Sequence, residues 1–413
     1  MHPSRWLIAL ALVLSFTAAA QENFRLRDGD RVVFYGDSIT DQRLYTTFVE
    51  TYVVTRFPSM NVRFVHSGWG GDRVNGGGGG PIDARLYRDV LPFNPTVVTI
   101  MLGMNDGRYR AFDQAFFDEF ATGYKHILDL LTRQFPALRI TVIQPSPYDD
   151  VTRPPAFEGG YNQVLVRYSE FLKEQAAARK LDLADLNTPI VAALKKAADT
   201  DAANAARLIP DRIHPGPAGH LLMAEALLKS WNAPATVTEV EADSRRVVHA
   251  VNTAVSDFAG GKTLSWTQTD NALPMPVDMR DPLTSLALRS SDFVDAMNRQ
   301  ILKVHSLAAG RYILRIDGEP VGAFTAEQFE SGVNLTTIDT PMMRQAAEVH
   351  QLTLRHNNIH FTRWRQLQVP MEKDQTPHIL AALSALDDVE GDLVKEQRAA
   401  ARPRAHRYQI VPE

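Results

Sequence analysis

Between Asp28 and Pro234 short apolar runs alternate with stretches of helical spacing, and that alternation leaves few architectures open. "RVVFYG" (31–36) is a continuous apolar run ending in glycine, as expected of a strand covered on both faces. "LYTTFVETYVVTRFP" follows with helical periodicity and stops at Pro58. "NVRFVHSG", "PTVVTIMLG" and "LRITVIQP" repeat the strand pattern. A long amphipathic helix, "FDQAFFDEFATGYKHILDLLTRQFP", separates the last two. A helix over "YNQVLVRYSEFLKEQAAARKL", a short strand at "LDLADL" and a helix over "GPAGHLLMAEALLKSWNAP" complete the region. Such alternation predicts an α/β fold with a parallel sheet and helices on both faces.

The chain has 413 residues, more than one typical domain needs, and the pattern changes after "SWNAPATV". "TVTEVEADS" and "KTLSWTQTD" read as strands, and "GRYILRIDGEPVGAFTAEQF" as a hairpin with Asp-Gly at its tip. "SDFVDAMNRQILKVHSL" mixes helix and strand signals. Segments 340–369 and 378–403 read as helices that either pair or pack back on the first half, and "RPRAHRYQIVPE" reads as a tail. Trp266, Tyr312, Phe324 and Trp364 are expected in a core, with a sugar platform as the alternative. The expected organisation is a leader over 1–20, a first domain over 21–234 and a mixed α/β accessory region over 235–413.

The leader reading rests on "MHPSR", the apolar "WLIALALVLSF", and Ala18 and Ala20 in A-x-A positions. Cleavage after Ala20 implies export to the periplasm or outside the cell, with no membrane span left afterwards; the competing reading is an uncleaved anchor, for which the apolar run is short. The chain has no cysteine, so disulfides, thiol nucleophiles and thiolate metal sites are excluded. No HExxH-like pair appears either, so no metal is expected. The formal net charge of −4 does not point to nucleic acid or an anionic membrane, which need a basic face, and leaves only a local basic patch open.

Open parallel sheets bind ligands at the carboxyl ends of their strands. Four polar signals fall there: "GDSIT" around Ser38, "SGWGGD" (67–72), "LGMNDG" (102–107) and "PDRIHPGPAGH" (210–220). A serine becomes a nucleophile when a histidine, oriented by an acid, removes its proton. Among 12 histidines, His214 has Asp211 three residues before it in a proline-stiffened loop. The competing reading is a loop that only caps the following helix. Backbone amides at Ser38 and Gly71 and the Asn105 side chain can receive a developing oxyanion. Asn105 in "NDG" also suits a plain turn, and Asp37 a helix N-cap. "NGGGGGP" (75–81) lacks the Lys-Ser/Thr of a phosphate loop and is expected to let backbone pass close to another element or a substrate.

Taken in order, "GDSIT", "GGD", "GMND" and "DRIHP" resemble the motif set of the SGNH (GDSL) hydrolase superfamily, over about residues 28–234. The resemblance implies a flavodoxin-like three-layer sandwich around a central parallel sheet. It implies Ser38 as nucleophile, Asp211 and His214 as its partners, and Ser38, Gly71 and Asn105 as the oxyanion hole, with no cofactor. His66 stands where relatives often carry Asn, and a structural role is expected of it. Asp37, Trp69 and Asp106 are expected as substrate contacts, Trp69 either stacking on a sugar ring or filling the core. Asp41, Arg43 and Arg108 are expected to line the pocket or brace its loops. The implied activity is hydrolysis of a short-chain ester, acetyl by preference, on a small molecule or polysaccharide. Lipase, lysophospholipase or thioesterase activity, transfer to another acceptor, and a non-catalytic binding protein on the same fold stay open.

Overall fold

The computed structural model describes residues 23–413; the expected leader over 1–20 lies outside the described residues. The first half is built on five parallel strands, β1 (Arg31–Gly36), β2 (Arg63–Gly68), β3 (Val97–Met101), β4 (Arg139–Gln144) and β5 (Asp182–Asp185), in the order β2-β1-β3-β4-β5. This is the flavodoxin-like order, whose switch point lies between β1 and β3. Both faces are covered, so β3 is buried at every residue, which is why its sequence reads as an unbroken apolar run. Gly36 pairs in register with Gly68 and with Met101, so the first three strands end level with one another. The turns that follow them therefore share one edge.

The covering helices are α1 (Ser38–Asp41), α2 (Leu44–Arg56), α3 (Ile82–Asp89), α4 (Gln114–Gln134), α5 (Gly160–Arg179), α6 (Thr188–Leu208) and α7 (Pro217–Ser230). The sequence reading did not include α3 or α6. Helix α6 kinks at Asp201, where φ is −154° and ψ 85°, which breaks its apolar stripe in two. Helix α2 is buried almost all round, including Thr46, Glu50 and Thr51, because elements on two sides cover it.

The second half forms two more sheets. Strands β6 (Thr236–Ala242), β7 (Val247–Val251), β8 (Thr253–Ala259), β9 (Leu264–Asp270), β10 (Arg299–Val304), β11 (Arg311–Ile316), β12 (Glu319–Thr325), β13 (Val333–Asn334) and β14 (Ala405–Pro412) arrange as β8-β9-β14-β11-β12 and β13-β10-β6-β7. The expected hairpin is β11–β12, turning at Asp317 and Gly318, both with positive φ. Helices α8 (Pro282–Ser290), α9 (Phe293–Met297) and α10 (Ala326–Ser331) are short connections.

The expected tail is instead β14, the middle strand of its sheet. His406, Tyr408 and Ile410 alternate inward, and Tyr408 stacks on Trp266 at 5.2 Å between ring centres. Trp266, Tyr312 and Trp364 are buried, while Phe324 is half-buried at the core margin. Helix α11 (Pro341–Phe361) continues as a π-helical segment (Thr362–Gln368) and pairs with α12 (Pro377–Ala400). The same helix also packs on α2, so both arrangements expected for this segment occur together.

Candidate active site

Ser38 opens α1, two residues beyond the end of β1. Its Oγ lies 2.8 Å from His214 Nε2, and His214 Nδ1 lies 2.7 Å from Asp211 Oδ2. With the Nδ1–H donating to Asp211, Nε2 is left as the acceptor for the serine proton. Asp211 Oδ1 also accepts the backbone N–H groups of Ile213 and His214, at 2.9 and 2.7 Å. Its partial burial raises the carboxyl, but the hydrogen bonds from His214 and Ile213 outweigh that and hold it below the ordinary range.

The His214 loop is fastened from outside. Arg153 donates to the carbonyls of Ile209 and Pro210 at 3.0 and 2.8 Å, and Arg212 donates to Pro154 O at 3.1 Å. The Asp149 N–H donates to Arg212 O at 2.9 Å. Neither Arg153 nor Asp149 was singled out in the sequence, because nothing local ties "YDDVTR" to a loop so far along the chain.

Gly71 follows β2 with φ +77°, a backbone state that favours glycine. Asn105 follows β3 and is held at both ends. Its Nδ2 donates to Asp72 O at 3.0 Å, and Tyr109 O–H donates to its Oδ1 at 2.6 Å. One amide proton of Asn105 is left over. Asp72 is fixed in turn by the fully buried Arg85 of α3, at 2.7 Å, and Arg85 also pairs with Asp89 and donates to Ser67 O. That cluster, too, was not visible in the sequence.

The residues expected as substrate contacts sit behind the site. Asp37 is buried and caps α1, accepting from Ile39 N–H at 3.0 Å. Burial pushes it up to about 8. Asp106 is buried and accepts from Val74 N–H at 3.0 Å; burial pushes it up to about 7. Trp69 is buried beneath the guanidinium groups of Arg85, Arg88 and Arg365 and meets Trp364 edge-on. None of the three borders the open pocket beside Ser38, so each is corrected from a substrate contact to a support. The pocket has a volume of about 580 Å³, and Asp41 and Arg43 line it. Arg108 turns away to Glu119, at 3.0 Å.

His66 is buried on β2, with Nδ1 2.6 Å from Thr46 Oγ1 and Nε2 3.4 Å from Glu50. Burial pushes it down to about 4, against the pull of Glu50. It is a neutral brace. The Gly76–Gly80 loop forms a two-residue ladder, and a Cβ at Gly79 would meet Trp69 Cδ2 at 2.6 Å. Close approach explains Gly76, Gly77 and Gly79, and a φ of +111° explains Gly80. Among the described residues no group of three or more His, Asp or Glu is placed to hold a metal ion.

A hydroxyl, an imidazole and a carboxylate in hydrogen-bonded line, at the switch point of a parallel sheet, are the equipment of a serine hydrolase. Comparison with known proteins agrees. The GDSL-like lipase/acylhydrolase family profile matches residues 34–222. An acetylxylan esterase of Geobacillus stearothermophilus is 26% identical over 227 residues, covering 50% of this chain and 95% of that protein. The solved structure of a gut microbial diltiazem-metabolizing enzyme is similar over 95% of this chain and 100% of its own, with TM-score 0.83 and 25% identity. The crystal structure of the Geobacillus stearothermophilus acetylxylan esterase is 24% identical, with TM-score 0.42, over 50% of this chain and 96% of that one. The first half of this chain belongs to the SGNH (GDSL) hydrolase superfamily, and the protein is an esterase of the serine hydrolase class.

Proposed function

We propose that the protein is an exported esterase that removes short acyl groups, acetyl by preference, from carbohydrate alcohols. Ser38 Oγ attacks the ester carbonyl while His214 Nε2 takes its proton. Asp211 holds the imidazole in the tautomer that leaves Nε2 free and stabilises the imidazolium. The carbonyl oxygen gathers charge between the N–H groups of Ser38 and Gly71 and the spare amide proton of Asn105. His214 then returns the proton to the departing alcohol. Water repeats the sequence on the acyl-serine and frees the acid. In this reading residues 21–234 form the catalytic domain, and 235–413 an accessory region that also shapes the pocket.

The observation that carries the proposal is the continuous line Ser38–His214–Asp211. The acetyl and carbohydrate preference is supported by the acetylxylan esterase relative, and export by the leader-like first residues. The test is hydrolysis of p-nitrophenyl esters from acetate to palmitate by the protein without residues 1–20. Turnover should be greatest on acetate and vanish in Ser38→Ala. Preference for long chains would replace the acetyl reading with a lipase or thioesterase. Equal activity in Ser38→Ala would sink the nucleophile.

A further inference from the structure

We infer that the alcohol half of the ester is held by a subsite for a sugar ring, built from Phe361 of the C-terminal half and Gln42 against the His214 loop. The inference rests on the proposed roles of Ser38 and His214. A base that returns its proton to the leaving oxygen fixes where that oxygen must be. The alcohol therefore departs on the side of His214 Nε2, and the acyl oxygen turns toward Gly71 and Asn105. The 580 Å³ pocket lies on the histidine side: Ser38, His214 and Pro215 line it together with Gln42, Arg43 and Phe361. Gly71 and Asn105 do not border it.

Phe361 is the last residue of α11, and its ring is held in place. The Arg43 guanidinium covers it at 4.2 Å, and Arg43 Nη1 donates to Asn357 O and Asn358 Oδ1 of the same helix, each at 3.1 Å. Arg43 has φ +59°, a left-handed state that a non-glycine residue adopts at a cost and that is kept where the surroundings demand it. The half-buried ring borders the pocket with the part Arg43 leaves free. An aromatic surface of this kind suits the C–H face of a pyranose.

Gln42 supplies the polar contact, and its orientation can be derived. The Tyr45 N–H donates to His220 Nδ1 at 3.2 Å, so that nitrogen carries no proton. His220 is buried, and burial lowers it to about 3, so the ring is neutral. Nε2 then bears the proton and donates to Gln42 Oε1 at 2.8 Å. The amide group of Gln42 is thereby left with its two N–H donors for the pocket. A ring with hydroxyl oxygens at its rim matches an aromatic wall and a directed amide donor.

Three acetates separate the parts: ethyl acetate has no ring, phenyl acetate has a ring without hydroxyls, and methyl 2-O-acetyl-β-xylopyranoside has both. In Phe361→Ala the ratio of kcat/KM for the xyloside over ethyl acetate should fall about tenfold, mainly through KM. Phe361→Tyr, which keeps the ring, should hold the ratio. Gln42→Glu still accepts from His220 but cannot donate. Its xyloside-over-phenyl-acetate ratio should fall about fivefold. An unchanged ratio in Phe361→Ala, beside an inactive Ser38→Ala, overturns the subsite while leaving the nucleophile standing. Loss of the ring effect alone, with Gln42→Glu unaltered, overturns the sugar in favour of any aryl alcohol. Continued hydrolysis by Ser38→Ala removes the reason for placing the alcohol on this side.

Discussion

Replacing Glu50 with Gln removes one buried negative charge and keeps the side chain's shape. Glu50 lies on α2 and faces His356 of α11 at 2.6 Å, with Gln397 of α12 at 3.1 Å and His66 of β2 at 3.4 Å. Burial, the largest single influence, would raise its carboxyl, but the charge and hydrogen bonds of His356 and His66 together outweigh it and hold the group below the ordinary range. Burial alone would likewise lower His356, yet Glu50 and then Glu390 of α12 raise it to about 9. His360 and Arg398 also face this cluster. A histidine raised from 6.5 to about 9 on folding adds about 3 kcal/mol of stability below pH 6.5, and loses it as pH rises through about 9. Glu50's lowered carboxyl acts in the opposite sense, losing its contribution as pH falls below the ordinary carboxylate range. The ion pair is thus complete near pH 6 and gone by pH 10. Glu390 keeps part of the effect in the variant, so Glu50→Gln should cost about 2 kcal/mol at pH 6. In a chain of this size that lowers Tm by about 2–3 °C. Thermal unfolding of both proteins at pH 6 and pH 10 is the assay, and the gap should close at pH 10. An equal gap at both pH values, or none at pH 6, would refute a charged His356–Glu50 pair.

Asn105→Ala should lower kcat by about 10²–10³ with little change in Tm, since it removes the proposed oxyanion donor, held by Asp72 and Tyr109; near-normal turnover in steady-state assays would overturn that role. Gly79→Ala should destabilise by about 1–3 kcal/mol, because its Cβ would meet the Trp69 ring and Arg85. Gly391→Ala, in open space on α12, should stabilise by about 0.4–1 kcal/mol. Urea unfolding compares the two, and equal effects would show that the Gly79 loop gives way freely.

The first half was legible because its signals are local. A strand covered on both faces is apolar throughout, and a site at strand ends leaves its polar residues immediately after such runs. Ser38, Gly71 and Asn105 each follow a strand within a few residues, and Asp211 fixes His214 three residues away. Substrate contacts were misjudged for the same reason. Asp37, Trp69 and Asp106 adjoin the motif residues in sequence, yet a turn's side chains alternate between pocket and interior, and these three face inward. Strand β14 was missed because its inward residues include His406 beside Arg404 and Arg407, so its period-two pattern looks polar until Trp266 and Leu314 are placed against Tyr408 and Ile410. The wall formed by Phe361 left no local trace at all, since it depends on α11 returning to the first half.

That return is what makes the C-terminal half part of the functional unit. Helix α2 starts two residues after the pocket-lining Gln42, and it is buried on one side by the parallel sheet and on the other by α11. Val54 of α2 belongs to the second core, and Arg56 donates to Pro234 O, Thr236 O and Met297 O, across the expected domain boundary. Arg398 of α12 reaches Met60 O and Val62 O at the entry to β2, and Trp364 Nε1 donates to Asp89, the partner of Arg85. Through Arg85 the same contact bears on Asp72, and through Asp72 on Asn105. Buried polar groups keep their partners because leaving one unpaired costs about 1–3 kcal/mol each. These cross-contacts would all be broken together if the halves separated. The arrangement therefore behaves as one framework: the ends of the parallel strands and the His214 loop carry the proposed reacting groups, while the C-terminal helices hold α2, Arg43 and the Trp69 loop at fixed positions around them.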